Sequence, residues 1–153
     1  LMTFFADCVP LFFYDPVKKA IAAVHSGWRG TSLGIAPQAV QKLAARYGSD
    51  PHDILVAIGP GIGSCCFETH DDVPTAMAER LGEGVPPFCQ PLPNGKFSVD
   101  LKGILRWELT QAGVPDENID TLPLCTACHP ELYWSHRKMG DRRGNHAAMI
   151  QLL

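Results

Sequence analysis

The chain has 153 residues, enough for one domain with its own hydrophobic core. Hydrophobic residues make up 46% and charged residues 19%, as in ordinary globular proteins, and the formal net charge is -3. A weakly acidic protein lacks the excess of Lys and Arg that is typical of nucleic-acid binders. No apolar run approaches the ~20 residues that span a bilayer. The composition therefore predicts neither a nucleic-acid partner nor a membrane partner.

Three strands are predicted at the start of the chain. Residues 1–5 are strand-like from the first position, so we expect the sequence to be the later part of a longer protein. Residues 9–14 form a continuous apolar run, and residues 20–24 form a second one. Because a turn over residues 15–18 separates the two runs, we expect them to pair as an antiparallel hairpin.

A helix and a further strand are predicted next. Ser32 is a candidate cap for a helix that extends to Tyr47 and ends at Gly48. Residues 54–58 are predicted to form a buried strand, which leads into a glycine-rich loop at 59–64. The loop lacks the Lys-Ser/Thr of a P-loop and no helix is predicted after it, so we expect no nucleotide cofactor.

The second half of the chain alternates helices and strands. A helix is predicted from Asp71 to Leu81, then a loop over 82–95, a strand over 97–99, and a helix that begins after Asp100 and ends at Gly113. The predicted closing strands cover residues 119–124, 132–135 and 147–152. This pattern predicts a single α/β (α+β) domain over residues 1–153, with mixed sheets.

Cys8 and His25 are the first candidate site residues. With the hairpin turn over residues 15–18, the two side chains are expected side by side at the open end of the hairpin. A thiolate beside an imidazole suits zinc or a Cys–His nucleophilic site. The alternative is that Cys8 packs as a small hydrophobic residue.

Several basic residues are candidates for binding an anionic substrate group. Arg29 follows Trp28 and can bind phosphate or carboxylate, or it can stack on Trp28 at the surface. His136 and Arg137, together with the run 142–144, form a basic cluster in an acidic protein. This cluster either holds an anion or is a solvated turn.

The segment CTACH at 125–129 matches the c-type haem attachment string. That motif belongs to an oxidising export route, and the chain has no export signal, so we expect no haem. A structural zinc site needs a second cysteine pair, and the adjacent Cys65 and Cys66 are not expected to serve. We therefore predict that segment 125–129 is a strand end with one or two core cysteines.

Six segments in order carry a resemblance to a known family. They are ADCVP (6–10), AVHSGWRG (23–30), IGPGIGSCCFE (58–68), VDLKGI (99–104), NIDTLPLCT (118–126) and YWSHRKMGDRRG (133–144). Together they resemble the bacterial laccase-domain, or multicopper polyphenol oxidoreductase-like, proteins. That family includes purine nucleoside phosphorylases and adenosine deaminases, and one branch resembles a peptidoglycan-editing factor.

The resemblance implies an α–β–β–α sandwich with mixed sheets and a catalytic zinc ion, with copper as the alternative metal. Its metal ligands would be Cys8, His25 and a second histidine expected upstream of residue 1. Arg29, Arg137 and His136 are the implied substrate or phosphate ligands. From its position, Asp7 is a candidate for proton handling or for orienting the ligands.

The implied activity is zinc-dependent purine nucleoside phosphorylase with adenosine deaminase activity, on substrates of the adenosine, inosine and methylthioadenosine class. The partners are then a nucleoside and phosphate, and a cytoplasmic location is expected. The alternatives are a copper-dependent polyphenol oxidase, a Cys–His hydrolase acting on peptidoglycan precursors through Cys8 and His25, and a zinc module without catalysis.

Overall fold

A computed structural model describes residues 1–82 and 86–153, and the side chain of Pro86 is also left out of the description. The strands are β1 (Met2–Phe5), β2 (Val9–Asp15), β3 (Ala20–Ser26), β4 (Leu55–Ile58), β5 (Glu68–Thr69), β6 (Cys89–Pro91), β7 (Phe97–Val99), β8 (Ile119–Thr121) and β9 (His146–Met149). The helices are α1 (Trp28–Ser32), α2 (Ile35–Tyr47), α3 (Asp72–Leu81), α4 (Leu101–Gln111) and α5 (His136–Met139).

The strands of the described residues form three sheets. The largest has the order β3-β2-β4-β8, in which the β4–β8 pair is parallel and the other pairs are antiparallel. Strand β1 pairs with β9, and β5, β7 and β6 form a three-stranded sheet. The prediction of a mixed α/β domain is therefore confirmed. No helix in the described ranges has both the length and the apolarity that crossing a bilayer requires.

The β2–β3 hairpin forms as predicted, but its predicted register is wrong by two residues. Asp15 ends β2 opposite Ala20, and its Oδ1 accepts hydrogen bonds from the backbone N–H groups of Val17 (2.8 Å) and Lys18 (2.9 Å). The turn therefore covers residues 16–19. As a consequence, Pro10 rather than Cys8 lies opposite His25.

The helix predicted after Ser32 begins later and is preceded by a separate short helix. Ser32 ends α1, and its hydroxyl donates to the carbonyl oxygen of Arg29 at 3.0 Å, so it does not cap α2. Gly34 occupies the N-cap of α2 with a φ of 74°. This left-handed conformation, which glycine adopts without steric cost, divides the two helices.

In the second half, α3, β7 and α4 lie where they were predicted. Asp100 caps α4, since its Oδ1 accepts from the backbone N–H of Gly103 at 3.0 Å. In the predicted loop 82–95, residues 83–85 lie outside the described residues, and Cys89–Pro91 forms β6 instead of loop.

The closing strands are shorter than predicted, and the strand over 132–135 is absent. Strand β8 ends at Thr121, and β9 covers His146–Met149. The N–H groups of Leu132 and Tyr133 both donate to the carbonyl oxygen of His129, at 3.1 and 3.0 Å. These turn bonds replace the ladder of a strand, and they lead directly into α5.

The hydrophobic core packs the four-stranded sheet against helices. Leu11 and Phe13 of β2 and Ile104, Leu105 and Leu109 of α4 are all fully buried. Each such side chain contributes on the order of 1.5–3 kcal/mol to folding through burial. The core thus holds the ends of β1, β2 and β3 in place.

One buried ion pair connects the helices to each other. Glu108 on α4 is 2% exposed and pairs with Arg80 of α3. Arg80 also donates from Nε to the carbonyl oxygen of Ser32 (2.8 Å) and from Nη2 to that of Thr31 (2.9 Å). Arg80 therefore connects α1, α3 and α4.

Candidate functional site

Asp7 lies between β1 and β2 and joins three segments of the chain. Its Oδ1 accepts from the hydroxyl of Thr126, and its Oδ2 accepts from the backbone N–H of Arg137, both at 2.6 Å. Its carbonyl oxygen accepts from the N–H of Ile62 at 2.8 Å. Asp7 is only 8% exposed. Since both carboxylate oxygens are occupied, its contacts are those of a residue that positions its neighbours.

Cys8 follows directly and is partly buried. Burial raises the pKa of its thiol, the negative charge of Asp7 raises it further, and Arg143 opposes both effects. A Cβ atom added to Gly27 would lie 3.0 Å from the Cys8 sulfur. The Cys8 sulfur therefore lies directly against Gly27, the second residue after His25 in the sequence.

Four of the predicted site residues line one pocket of about 270 Å³. This volume lies just below the range for small-molecule pockets, roughly 300–1,000 Å³. Its lining includes the predicted Asp7, Cys8, His136 and Arg137, and also Trp28, Phe67 and Arg143. A larger cavity of about 490 Å³ beside the C-terminal residues contains none of the predicted site residues.

Two arginines contribute positive charge to this pocket. Arg137 is held from Nη1 by the carbonyl oxygens of Cys66 (3.1 Å) and Glu68 (2.8 Å). The buried Nε of Arg143 has no hydrogen-bond partner among the described residues. Arg143 itself lines the pocket, so its guanidinium group adds positive charge that favours an anionic ligand there. The basic run 142–144 was the sequence signal, but only the fold singles out Arg143.

His25 and Arg29 do not line this pocket. His25 is exposed, and its ring stacks on Phe5 with the ring centroids 4.8 Å apart. The guanidinium carbon of Arg29 lies 4.3 Å from the ring centroid of Trp28, a cation–π contact. Arg29 therefore stacks on Trp28, and Trp28 in turn lines the pocket.

The donor types of Cys8 and His25 fit zinc, which binds thiolate sulfur and imidazole nitrogen. Over residues 1–82 and 86–153, however, only a separate set of four cysteines forms a group of three or more potential ligands with neighbouring donor atoms. Cys8 and His25 therefore supply at most two ligands of a shared zinc ion.

The four-cysteine cluster was missed by the sequence analysis. Its sulfur atoms, from Cys65, Cys66, Cys125 and Cys128, all lie within 4.8 Å of one another. The prediction that segment 125–129 is a strand end is wrong, because the segment turns back and meets the glycine-rich loop. The prediction of one or two core cysteines there is confirmed, since Cys125 is 6% exposed and belongs to the core. A β-bridge between Gly61 and Cys125 brings the two loops together.

The pKa values of Cys65, Cys66 and Cys125 are shifted in different directions. Burial raises the pKa of Cys65 to about 11, and burial also raises the pKa of Cys66, in both cases reinforced by contact with Cys128. Burial acts in the same direction on Cys125, but backbone N–H groups donate to its sulfur, that of Gly63 at 3.2 Å, and bring its pKa down to about 7. One sulfur of the cluster is thus readily ionised.

Comparison with known proteins identifies the family. The model of the multi-copper polyphenol oxidoreductase laccase family matches residues 1–153. The chain belongs to this family, and the six ordered segments that suggested the resemblance lie within the match.

Several relatives have functional names. A mouse (Mus musculus) protein named purine nucleoside phosphorylase LACC1 is 40% identical over 151 residues, covering 96% of this chain and 34% of the relative. Purine nucleoside phosphorylase YlmD of Geobacillus stearothermophilus is 40% identical over 147 residues, covering 95% and 53%. Adenosine deaminase RL5, from an unknown prokaryotic organism, is 34% identical over 139 residues, covering 91% and 53%. The chain spans about half or less of the length of these relatives.

Solved structures share the fold. The crystal structure of the Bacillus licheniformis hypothetical protein YfiH matches with a TM-score of 0.92 and 38% identity, over 96% of this chain and 55% of that chain. The structure of YlmD from Geobacillus stearothermophilus matches with a TM-score of 0.91 and 37% identity, over 96% and 54%. The mixed α/β architecture is therefore that of the family.

Proposed function

We propose that the protein cleaves purine nucleosides with phosphate and also deaminates adenosine, using zinc. The observation that carries this proposal is the single pocket that joins the Cys8 thiol, the fixed Asp7 carboxylate and the guanidinium groups of Arg137 and Arg143. The names of the relatives, purine nucleoside phosphorylase and adenosine deaminase, support it.

In phosphorolysis, a phosphate oxygen bonds to C1′ of the ribose while the bond from C1′ to the purine nitrogen breaks. The products are the free base, which takes up a proton, and ribose 1-phosphate. Arg143 and Arg137 line the pocket and supply positive charge to the phosphate, and His136 supplies a further donor from the same wall. The two arginines are thus assigned to phosphate binding.

In deamination, water adds to C6 of the purine and ammonia leaves, which converts adenosine into inosine. Trp28 and Phe67 provide apolar surface in the pocket against which a purine ring can pack. Asp7 accepts hydrogen bonds from the Arg137 backbone N–H and the Thr126 hydroxyl, and so fixes the positions of these two segments relative to each other. When bound with Cys8 and His25 among its ligands, zinc supplies a Lewis acid that polarises or activates the nucleophile.

The raised pKa of Cys8 disfavours the Cys–His hydrolase alternative. A nucleophilic cysteine needs a depressed pKa or an adjacent base, whereas here burial and Asp7 oppose the thiolate. A metal ion offsets this cost by binding the thiolate directly. The properties of Cys8 thus support a metal ligand over a free nucleophile.

We also propose a cytoplasmic location, with a nucleoside and phosphate as the partners. All six cysteines are free, as expected in a reducing compartment. The net charge of -3 gives no attraction to nucleic acid or to anionic lipid surfaces.

The test uses the complete, zinc-loaded protein with adenosine and phosphate, and separates the products by chromatography. Adenine and ribose 1-phosphate report phosphorolysis, and inosine reports deamination. Cys8→Ser is expected to abolish both activities. A folded, zinc-loaded protein that forms no purine product, and that oxidises polyphenols when loaded with copper, would replace this proposal with the oxidase.

The role of Arg143 separates the two reactions. Arg143→Met is expected to raise the KM for phosphate at least about tenfold, because one charge-assisted hydrogen bond contributes roughly 1.5–3 kcal/mol. Deamination, which uses no phosphate, should change far less. The matched control is Arg46→Met, since Arg46 is an exposed arginine on α2. An unchanged KM for phosphate in Arg143→Met would remove Arg143 from the phosphate site.

A further inference from the structure

We propose that Cys65, Cys66, Cys125 and Cys128 bind a structural zinc ion, at a site separate from the Cys8 pocket. The Cys128 sulfur lies 3.5 Å from that of Cys65 and 3.4 Å from that of Cys66, and all four sulfurs lie within 4.8 Å of one another. In a tetrahedral site with Zn–S bonds of about 2.3 Å, neighbouring sulfurs are about 3.8 Å apart. The four donors are therefore already spaced for zinc.

The cluster is a set of ligands and not a pair of disulfides. A disulfide has an S–S bond of about 2.05 Å, well below these separations, and all four cysteines are free thiols. Two of them come from the turn after Gly63, whose carbonyl oxygen accepts from the N–H groups of Cys66 (3.0 Å) and Phe67 (2.9 Å). The other two come from the turn at Cys125, whose carbonyl oxygen accepts from the N–H of Cys128 (3.2 Å).

The surroundings of the sulfurs match those of a thiolate metal site. The N–H of Gly63 donates to the Cys125 sulfur at 3.2 Å, an outer-shell bond that orients a thiolate ligand. A Cβ atom on Gly63 would lie 3.2 Å from the Cβ of Cys125 and 3.3 Å from the Cys65 sulfur. The position is therefore crowded for any side chain, and glycine allows the donor N–H to approach.

A buried cation lies next to the cluster. Lys102 is 7% exposed, and its ammonium donates to the carbonyl oxygens of Leu122 (2.9 Å) and Leu124 (2.7 Å), on the segment that leads to Cys125. Lys102, Cys65 and Cys125 line the same cavity. Zinc with four thiolates carries a net negative charge, so a buried ammonium at this place offsets it.

The location gives the zinc ion a role in shaping the Cys8 pocket. Thr126, between two of the cysteines, donates to Asp7, and the carbonyl oxygen of Cys66 accepts from Arg137. None of the four cysteines lines the pocket that contains Cys8. Zinc therefore cross-links the glycine-rich loop to segment 125–128, and these two segments hold Asp7 and Arg137 through the hydrogen bonds of Thr126 and Cys66.

The test measures zinc and its ligands, and it is independent of the proposed purine activity. In Cys8→Ser, which removes the thiolate of the other site, one zinc ion per chain should remain. X-ray absorption of this zinc should show four sulfur neighbours at about 2.3 Å. A Cys8→Ser protein without zinc, or with nitrogen or oxygen in the first coordination sphere of its remaining zinc, would overturn the proposal.

A second variant tests the cluster directly in the same Cys8→Ser background. Cys128→Ser is expected to weaken zinc binding by more than about 100-fold, since even an outer-shell partner costs about 10- to 100-fold. Its matched control is Cys89→Ser, because Cys89 is a free cysteine in β6 outside the cluster, and zinc should be retained. Zinc retained with unchanged affinity in Cys128→Ser would refute the assignment.

If Cys128→Ser does not fold, the Cys8→Ser protein itself provides the measurement. Removing its zinc with a chelator should lower Tm, and adding zinc back should restore it. Zinc removal without a change in Tm would contradict a structural role.

Discussion

Asp7→Asn tests whether the hydrogen bonds of the Asp7 carboxylate stabilise the candidate site, because it changes charge and hydrogen bonding while keeping the shape of the side chain. The Asp7 carboxylate accepts two bonds of 2.6 Å, from the Thr126 hydroxyl and the Arg137 backbone N–H. An asparagine oxygen can still accept from the Arg137 N–H, and its NH2 group can donate to the Thr126 hydroxyl, which must reverse its role from donor to acceptor. Both bonds then become bonds between neutral groups.

The expected cost follows from these contacts. Hydrogen bonds to a charged group contribute about 1.5–3 kcal/mol each, and Asp7 is only 8% exposed, so solvent compensates little. A neutral hydrogen bond contributes about 1 kcal/mol less, so we expect Asp7→Asn to lower the free energy of unfolding by about 2 kcal/mol. For a domain of this size, that corresponds to a decrease in Tm of roughly 4–8 °C.

The assay is urea unfolding at equilibrium, supported by thermal unfolding. The control is Asp141→Asn, an exposed aspartate, which should change stability by less than about 0.5 kcal/mol. In a double-mutant cycle with Thr126→Val, the double variant should cost less than the sum of the single variants, because both act on one hydrogen bond. Equal stability of Asp7→Asn and the wild type would refute the positioning role of Asp7.

Two further predictions concern stability. Arg80→Met should lower the free energy of unfolding by about 3–5 kcal/mol in urea titrations, because it leaves the buried carboxylate of Glu108 unpaired. Adding Glu108→Gln to this variant should recover part of the lost stability. A double variant no more stable than Arg80→Met would argue against the ion pair. Burial lowers the pKa of His146 in the folded protein, and the negative charge of Asp7 opposes this shift. The neutral His146 side chain therefore makes its full contribution to the free energy of unfolding above the ordinary pKa of about 6.5. That stability is lost as the pH falls toward the folded-state pKa, since the unfolded chain binds the proton more readily. His146→Phe should flatten this dependence in unfolding titrations across that range, whereas His70→Gln, at an exposed position, should preserve it.

Local pattern was enough to predict much of the fold. The apolar runs of β2 and β3, the cap at Asp100 and the helical periodicity of α4 each depend on residues within one or two turns of each other. The hairpin was predicted from the same local information. Its register was missed because the Asp15 carboxylate accepts from the N–H groups of Val17 and Lys18, which places the turn at residues 16–19 and not at the predicted 15–18.

The candidate site was predicted in its parts, and its assembly depended on the tertiary structure. Asp7, Cys8 and Arg137 were candidate site residues in the sequence, and the fold brings them to one pocket. Nothing in the local sequence distinguishes Arg143 from Arg142, because only the fold brings Arg143 to the pocket and leaves Arg142 exposed.

The amino-acid sequence by itself determined most of the elements, the family and the kinds of side chain available to the site. Only the tertiary structure decided which of them meet. The clearest case is the four-cysteine cluster, whose two halves lie on separate loops joined through the Gly61–Cys125 bridge. Residue spacing encodes neighbours along a strand or helix, whereas contact between distant loops depends on how the whole core packs.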